Sequence, residues 1–512
     1  MRQLIKQEFK KIFKKKYFLV LLILLLVFSG YLTYSNYSNV YNGEYAIQDE
    51  QGVELTGIDA IRYIDSERHK YAGIIDDEFV KKFSNDFDTR VKNIVDNDLT
   101  IDEEKMQTTY GEDYEQLIER AKEGTLTSED WDIILNSNTG WYETERENGT
   151  SVYLNVFYEN QGKLSAASSI YDYANEYFNT VDFIQPWIDK NEDTYDPVEY
   201  INNSKFAPLL HKEEYLIKIC PQNIDENYEY KSFIYIYEED MENSIDSKII
   251  DYYNQRFMDA KPYYDSTLPN QYLNDNMTHT LVIILALLLI IIVLSDMFSY
   301  DCQTKSDQII ACTSYGTKKL KLAKLIVGIA TALGIIILQQ ALIILISNII
   351  LPVRDFSLVE TSYDTIYSFV TSVNVYIESY GSVFITGIIM LLLGGLVVGM
   401  FTMFVSYISK NKFITAIIII LITFFLIFIS ETVLFDNLIN IIFPYIPHNF
   451  MRFTIFHRFA YNIGYHNGIV PHTVLFGNVV AVRDLVIIVW LALCAGMGLF
   501  ISFVKVGEVK SK

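Results

Sequence analysis

Four of the seven histidines, His448, His457, His466 and His472, gather in one stretch near the C-terminal end. Imidazoles are the commonest metal ligands, but spacings of 9, 9 and 6 do not set ligands on one helical face. Cys302 and Cys312 stand ten residues apart, which is not a metal-knuckle spacing. Cys220 is alone in an acidic stretch and Cys494 lies in an apolar run, so the thiols read as small core residues. The chain has no Gly-x-x-x-x-Gly-Lys-Ser/Thr run to cradle a phosphate. It also lacks His-Glu-x-x-His and Gly-x-Ser-x-Gly. No catalytic residue, metal site or cofactor is therefore expected in this chain. Chemistry concentrates instead in the charged segment Phe298 to Leu322, FSYDCQTKSDQIIACTSYGTKKLKL. Asp307 to Thr313 can form a short helix with Ile309 and Ile310 apolar, Tyr315-Gly316-Thr317 is a turn, and Lys318, Lys319, Lys321 and Lys324 follow.

That segment lies between apolar runs. Six are long enough to cross a bilayer: Tyr17 to Tyr34, Thr280 to Met297, Leu322 to Leu351, Val383 to Ile408, Phe413 to Ser430, and Leu485 to Val504. The second holds eleven Leu and Ile residues, and Asp296 near its end is expected to reach the water interface. No Ala-x-Ala-like site follows the first run before Tyr34, so it reads as a retained anchor. The spans hold no chain of buried carboxylates such as a proton-driven carrier uses. Gln339, Gln340 and Asn348 are expected to face protein or a hydrated path, because an unpaired amide in hydrocarbon is costly. Gly395 and Gly399 allow close helix approach, within one chain or between two.

Lysine and arginine set the orientation. They crowd before the first span (Arg2, Lys6, Lys10, Lys11, Lys14, Lys15, Lys16), between the second and third, between the fourth and fifth (Lys410, Lys412), and after the sixth (Lys505, Lys510, Lys512). All four segments fall on one side of a six-span path, which the positive-inside rule makes cytoplasmic. The first sixteen residues repeat Ile5, Phe9, Ile12 and Phe13 at helical spacing, with Glu8 among them and lysines opposite. They read as an interfacial helix lying on anionic lipid.

The net charge of -22 is unevenly spread. Asn36 to Met277 carries 51 acids and 20 bases, while the remainder has 12 acids and 21 bases. An acidic solvated block thus sits among basic-flanked spans, and no nucleic-acid partner is expected. Helix signals dominate the block: one helix from Thr56 to near Gly73, one from Asp76 and Asp77 through Ile94, one after Ser128, and a longer one from Leu164 to Trp187. Lys231 to Glu238 alternates and reads as a strand. Tyr153, Phe157, Tyr158, Tyr171, Tyr173, Tyr177 and Phe178 either offer rings to a cationic amphipathic peptide or are ordinary core and rim residues.

The fold class is therefore an α-helical polytopic membrane protein with six transmembrane helices, an N-terminal amphipathic interfacial helix and a large, mainly helical extracellular domain. Its segments are an interfacial helix 1–16, spans 17–34, 279–297, 322–351, 383–408, 413–430 and 485–504, an extracellular domain 35–278, a cytoplasmic loop 298–321, outer segments 352–382 and 431–484, and a cytoplasmic tail 505–512.

This plan resembles the membrane subunit of ATP-binding-cassette exporters of the type-two permease family. The local resemblance lies in the loop. Asp301 takes the family's acidic place, Ile309-Ile310 its apolar pair, Tyr315-Gly316-Thr317-Lys318-Lys319 its turn, and Lys324 the helix-opening lysine. Lys305-Ser306 stands where Gly-Thr is common, and Asp301 where Glu is common. Glu8 with Lys10 and Lys11 is similar to the family's N-terminal helix. The resemblance implies that the loop docks in a groove of a separate ATPase, with Asp301, Asp307 and Lys318 at the polar rim. It also implies two ATPase copies that hold ATP and Mg, a second permease copy or paralogue, and the plasma membrane of a Gram-positive bacterium. The substrate would be an amphipathic peptide, antibiotic or lipid-like compound, in self-protection or resistance. Leu438 to Ile446 and Phe450 to Ile463 would be short helices, either over the outer mouth or as a peripheral anchor. The alternative is a non-transporting scaffold or receptor like accessory proteins of Gram-positive secretion systems. In that reading the loop is a connector whose lysines only set topology.

Overall fold

The computed structural model describes residues 1–43, 46–74, 100–123, 149–171, 180–184, 279–304, 306, 316–353, 372–376, 380–432, 445–447, 451, 458–462, 467–469 and 472–504, with short stretches between 78 and 146 and between 247 and 277. It divides into two compact units. The first comprises Met1–Asn36, Ile236–Asp259 and Thr267–Lys512, and the second Tyr37–Tyr235 and Ala260–Ser266.

The first unit is built on long apolar helices. Helix α1 (Arg2–Phe13) is followed by α2 (Lys16–Ser38). Among the described residues five helical stretches are long and apolar enough to cross a membrane: Lys16–Ser38, Asp275–Gln303, Lys318–Ile350, Phe384–Ser409 and Val482–Phe503. The chain is thus a mainly helical protein of the membrane-spanning type. The run expected as a fifth span lies in a helix Lys412–Thr432, whose described apolar part, Lys412–Leu426, is shorter than the other five.

Composition explains which helices are enclosed. The stretch Asp275–Gln303 is the most apolar and the most buried of the five. It packs on the helix Tyr380–Ser409, which also meets Gly316–Ile350, Lys412–Thr432 and Val482–Phe503. Small residues let these backbones close up. A Cβ added at Gly399 would lie 2.9 Å from Ala332 Cβ and 3.3 Å from Leu294 Cδ1. One at Gly395 would lie 2.7 Å from Ile336 Cγ1. Both glycines therefore serve contact within this chain. The outer helices expose apolar stripes: Leu19, Val20, Ile23, Leu24, Val27 and Phe28 on α2, and Ile488, Val489, Leu491 and Leu493 on the last helix. Apolar surface so continuous is foreign to a water-soluble monomer and fits a lipid-facing wall.

The segment before the last helix departs from expectation. Part of the expected helix Phe450 to Ile463 is a strand, Arg458–Asn462, paired antiparallel with Ser372–Tyr376 and with Asn467–Ile469. Aromatic Phe459 and Tyr461 suit a strand as well as a helix, and pairing with a distant strand decides. A hairpin follows, His472–Leu475 against Asn478–Ala481. Its two turn residues, Phe476 and Gly477, both have positive φ, 49° and 83°, as this tight turn requires. Most of Leu438 to Ile446 lies outside the described residues.

The described residues of the second unit are more helix than strand, with a small sheet beside the helices. Helices Gly57–His69, Glu103–Tyr110, Tyr114–Glu123 and Gln161–Tyr171 occur with a three-stranded antiparallel sheet of Thr144–Arg146, Gly149–Asn155 and Thr180–Ile184. Of the long helix expected from Leu164 to Trp187, the part up to Tyr171 is helical. Thr180–Ile184 within it is instead a strand, because β-branched Thr180, Val181 and Ile184 pair with 151–155. The described residues of the Asp76–Ile94 stretch and those after Ser128 are helical, while the expected strand Lys231 to Glu238 lies outside the described residues. Met106, Tyr110, Tyr114, Leu117, Ile118, Ile134 and Val156 form one apolar cluster, with Phe157 and Tyr158 packed on it. Those two aromatics are core and rim here; the remaining side chains of the Tyr153–Phe178 aromatic group lie outside the described residues. Beside the cluster, Arg120 Nε donates to Asp130 Oδ2 at 2.9 Å, and Thr127 N donates to the same oxygen at 2.8 Å. These bonds hold the Asp130 carboxyl down at about 2, against an ordinary 3.8, although burial works the other way.

Two outcomes follow. Gly399→Val should destabilise the first unit by about 1–3 kcal/mol through overpacking against Ala332, read as a lower thermal midpoint of the full chain in detergent. Asp130 has a lowered pKa, so its contribution is complete above about pH 4 and is lost as pH falls towards 2. Asp130→Asn should speed amide exchange of Tyr114–Glu123 at neutral pH. That difference from the parent should shrink as the pH approaches 2.

Candidate functional site

The site is a cluster of buried charges where α1 meets the first unit's long helices. Helix α1 forms because twelve residues run without Gly or Pro, with Ile5, Phe9 and Ile12 on one face. That face is packed into protein: Ile12 is in the main apolar core, with Ile5 and Phe9 against it. The partner for its apolar stripe is the helix Gly316–Ile350 of the same chain, so that face is covered by protein and not by lipid. Phe13, by contrast, stays 49 % exposed, edge-on to Phe18 with ring centroids 5.3 Å apart.

We label the other participants α3 (Thr280–Leu294), α4 (Ser299–Gln303), α5 (Gly316–Ile350), α6 (Tyr380–Ser409) and α7 (Val482–Phe503). Glu8 on the inner face of α1 accepts from Lys11 Nζ at 2.5 Å. Lys11 Nζ also stands 3.9 Å from Asp301 Oδ1 on α4. Lys15, between α1 and α2, donates to Asp296 Oδ2 at 2.6 Å, just beyond the end of α3. Lys324 on α5 meets Asp301 Oδ2 at 2.5 Å and donates to Met297 O at 2.6 Å. Lys324 is only 3 % exposed, Glu8 4 %, Asp296 7 % and Asp301 8 %. The three buried acids are thus balanced by one buried lysine, Lys324, by the half-buried Lys15 and by Lys11, whose side chain stays 46 % exposed, and such pairing is the condition for burying charge at all. Burial opposes the Lys15 charge, but the bond and charge of Asp296 outweigh it and raise the ammonium pKa.

Neutral groups complete the junction. Ser406 on α6 donates to Ser295 O at 2.7 Å and accepts from Phe298 N at 3.3 Å. Phe298 packs edge-on against Tyr407 and lies 5.6 Å beneath Lys324 Nζ. Lys321 Nζ donates to Tyr407 OH at 2.5 Å and to Val504 O at 3.3 Å, while Tyr407 OH donates to Val504 O at 2.5 Å. The carbonyl of Val504, just past the end of α7, thereby receives two side-chain donors. One compact knot joins α1, α2, α3, α4, α5, α6 and α7.

The sequence-derived residues fare unequally. Asp301 and Lys324 come together. Asp301 is occupied by Lys324 and half enclosed by α1, so it does not stand free at a rim. Lys318 and Lys319 are exposed, with Lys318 Nζ 5.8 Å from the Phe503 ring. Asp307, Ile309, Ile310 and Tyr315 lie outside the described residues, as does the surrounding of Gly316. Asp296 is buried and paired rather than reaching water, because Lys15 comes to it. Lys321 was read only as one of the loop's run of lysines, and Ser406 and Tyr407 were not singled out.

Farther along the same helices, neutral polar groups make a second tie. Gln339 is fully buried, and its Nε2 donates to Ser29 Oγ at 2.8 Å and Val282 O at 3.0 Å, joining α5 to α2 and α3. Gln340 Nε2 donates to Met277 O at 3.4 Å. Asn348 serves its own helix end, donating to Ile344 O and accepting from Val353 N. Among the described residues no group of three or more His, Cys, Asp or Glu side chains could hold a metal. The His472 ring packs at a tilt of 48° on Tyr252, with centroids 4.9 Å apart.

The arrangement is one of structural ion pairs. It fixes helices to one another through charge. Asp301→Leu or Lys324→Met alone should therefore cost about 3–5 kcal/mol by leaving a buried charge uncompensated. The joint replacement Asp301→Leu with Lys324→Met should recover most of that loss. Thermal midpoints of the four purified full-length proteins close the cycle, and additive single losses would mean that the two residues do not act as a pair.

Comparison with known proteins finds no matching family model, no matching curated protein and no matching solved structure.

Proposed function

We propose that the chain is the membrane subunit of an ATP-driven exporter, with six spans, both ends in the cytoplasm and the acidic unit outside. The observation that carries the reading is the charge junction. A push delivered to the loop between α4 and α5 meets buried ion pairs on Asp301 and Lys324 instead of slack chain. It passes to α1 through Lys11 and to α3 through Met297 and Asp296. Such a joint turns movement of a soluble motor into rigid-body movement of spans.

In this reading ATP and Mg belong to a separate ATPase pair, a second permease chain completes the pathway, and an amphipathic peptide, antibiotic or lipid-like compound is moved outward. The strongly acidic block supports a cationic amphipathic cargo, since opposite charge speeds and orients encounter.

The test is purification of the tagged full chain from its own membranes. An ATPase subunit should co-purify, and its hydrolysis rate should depend on the chain. Ile310→Asp should abolish retention of that ATPase, because burying one Ile is worth about 1.5–3 kcal/mol. Lys318→Ala should change retention little, because an exposed pair contributes about 0–1 kcal/mol. Retention of the ATPase by Ile310→Asp, with transport intact, would leave the loop a connector and favour the scaffold reading.

A further inference from the structure

The inner face of α1 is committed to protein, which leaves its outer face to be explained. Arg2, Lys6, Lys10 and Lys14 recur every four residues, and all four are exposed. At 3.6 residues per turn they fall on the side opposite Glu8 and Ile12. The one acid in the first sixteen residues, Glu8, is buried and bonded to Lys11. Among the described residues none of the four ridge side chains has an ion pair or hydrogen bond. Four aligned, unpartnered cations repel one another along a helix, and such a row persists where something anionic lies against it.

Two observations say what lies there. Phe13 is exposed on the ridge's side of α1, and Tyr17 is exposed one turn later. From Leu19 onward the same chain shows the apolar stripe of α2. The ridge therefore leads, through exposed aromatics, directly into a hydrocarbon-facing helix, the order of groups found across a membrane interface. We propose that Arg2, Lys6, Lys10 and Lys14 bind the phosphate headgroups of anionic phospholipids, and that this contact presses α1 into the charge junction. Lipid charge then regulates how firmly Lys11 and Lys15 hold Asp301 and Asp296. The inference needs the apolar helices to lie in a bilayer; it does not need the exporter reading.

The experiment is amide exchange of the full chain in nanodiscs of phosphatidylglycerol and of phosphatidylcholine. The α1 amides should exchange several-fold more slowly in phosphatidylglycerol at low ionic strength. The difference should collapse at about 0.5 M salt, where screening shortens to a few ångströms. The variant Arg2→Gln, Lys6→Gln, Lys10→Gln, Lys14→Gln keeps Lys11, Lys15 and Lys16 to set topology. It should lose the preference, each residue accounting for roughly a fivefold factor in affinity. Should the variant fail to insert, spin-labelled lipid on the parent protein gives the second measurement, with phosphatidylglycerol expected to associate more strongly than phosphatidylcholine in a salt-sensitive way. Equal protection in both lipids, or a preference that persists in the variant or in high salt, would overturn the proposal. So would full protection in phosphatidylcholine on adding inorganic phosphate or an acidic peptide, which would assign the ridge to a soluble anion. None of these outcomes bears on whether an ATPase co-purifies.

Discussion

Lys324 holds an ammonium where water scarcely reaches, and the arrangement of its neighbours follows from keeping that charge tolerable. An isolated buried ammonium would lose its proton or pull the structure open. Here a carboxylate at 2.5 Å and a carbonyl at 2.6 Å replace its hydration. The carboxylate in turn needs surroundings, and Lys11 supplies one side of them. Lys11 is itself steadied by Glu8, so α1 is held by a chain of charges that begins on α5. Remove the first link and the buried Asp301 carboxylate keeps only the longer contact with Lys11.

The two polar ties of the first unit solve different problems. At the charged end, ions meet ions and the geometry is strict, since misplaced charge in low dielectric is penalised steeply. Around Gln339 the groups are neutral amides and hydroxyls bonded to Ser29 and to the Val282 carbonyl. Neutral ties of this sort are worth about 0.6 kcal/mol on average in membrane helices, with a maximum near 1.7. The glutamine tie therefore specifies which faces of α2, α3 and α5 meet, while the ion pairs decide whether α1 and the helix ends stay together.

Much of this was legible in the residues, for identifiable reasons. Length and apolar composition mark a long helix without reference to any partner, so Lys16–Ser38 and Val482–Phe503 stand out from sequence alone. Amphipathicity showed that α1 has an apolar face but not whether lipid or protein would cover it; packing of Ile12 into the core answered that. The bond from Lys15 to Asp296 spans 281 positions, and no local pattern announces it. Strands were the least legible elements. Thr180–Ile184 and Arg458–Asn462 are short, and each owes its state to hydrogen bonds from a segment elsewhere in the chain. The hairpin turn at Phe476-Gly477 carries a Gly signal, yet the apolar flanks that suit its strands suit a helix equally well.

The close seating of Gly395 and Gly399 has a mechanical consequence. With Ile336 and Ala332 on one side and Leu294 on the other, α6 has almost no free volume in which to slide past α3 or α5. These three helices form a stiff spine. Flanking α7 packs along α6, whereas α2 shows most of its surface outward and touches the spine least, so α2 is the compliant member. Strain entering at the charged knot would be stored as displacement of α2 while the spine keeps its shape. The residues that set the spring constant of the assembly are then the smallest side chains in it, two glycines and an alanine.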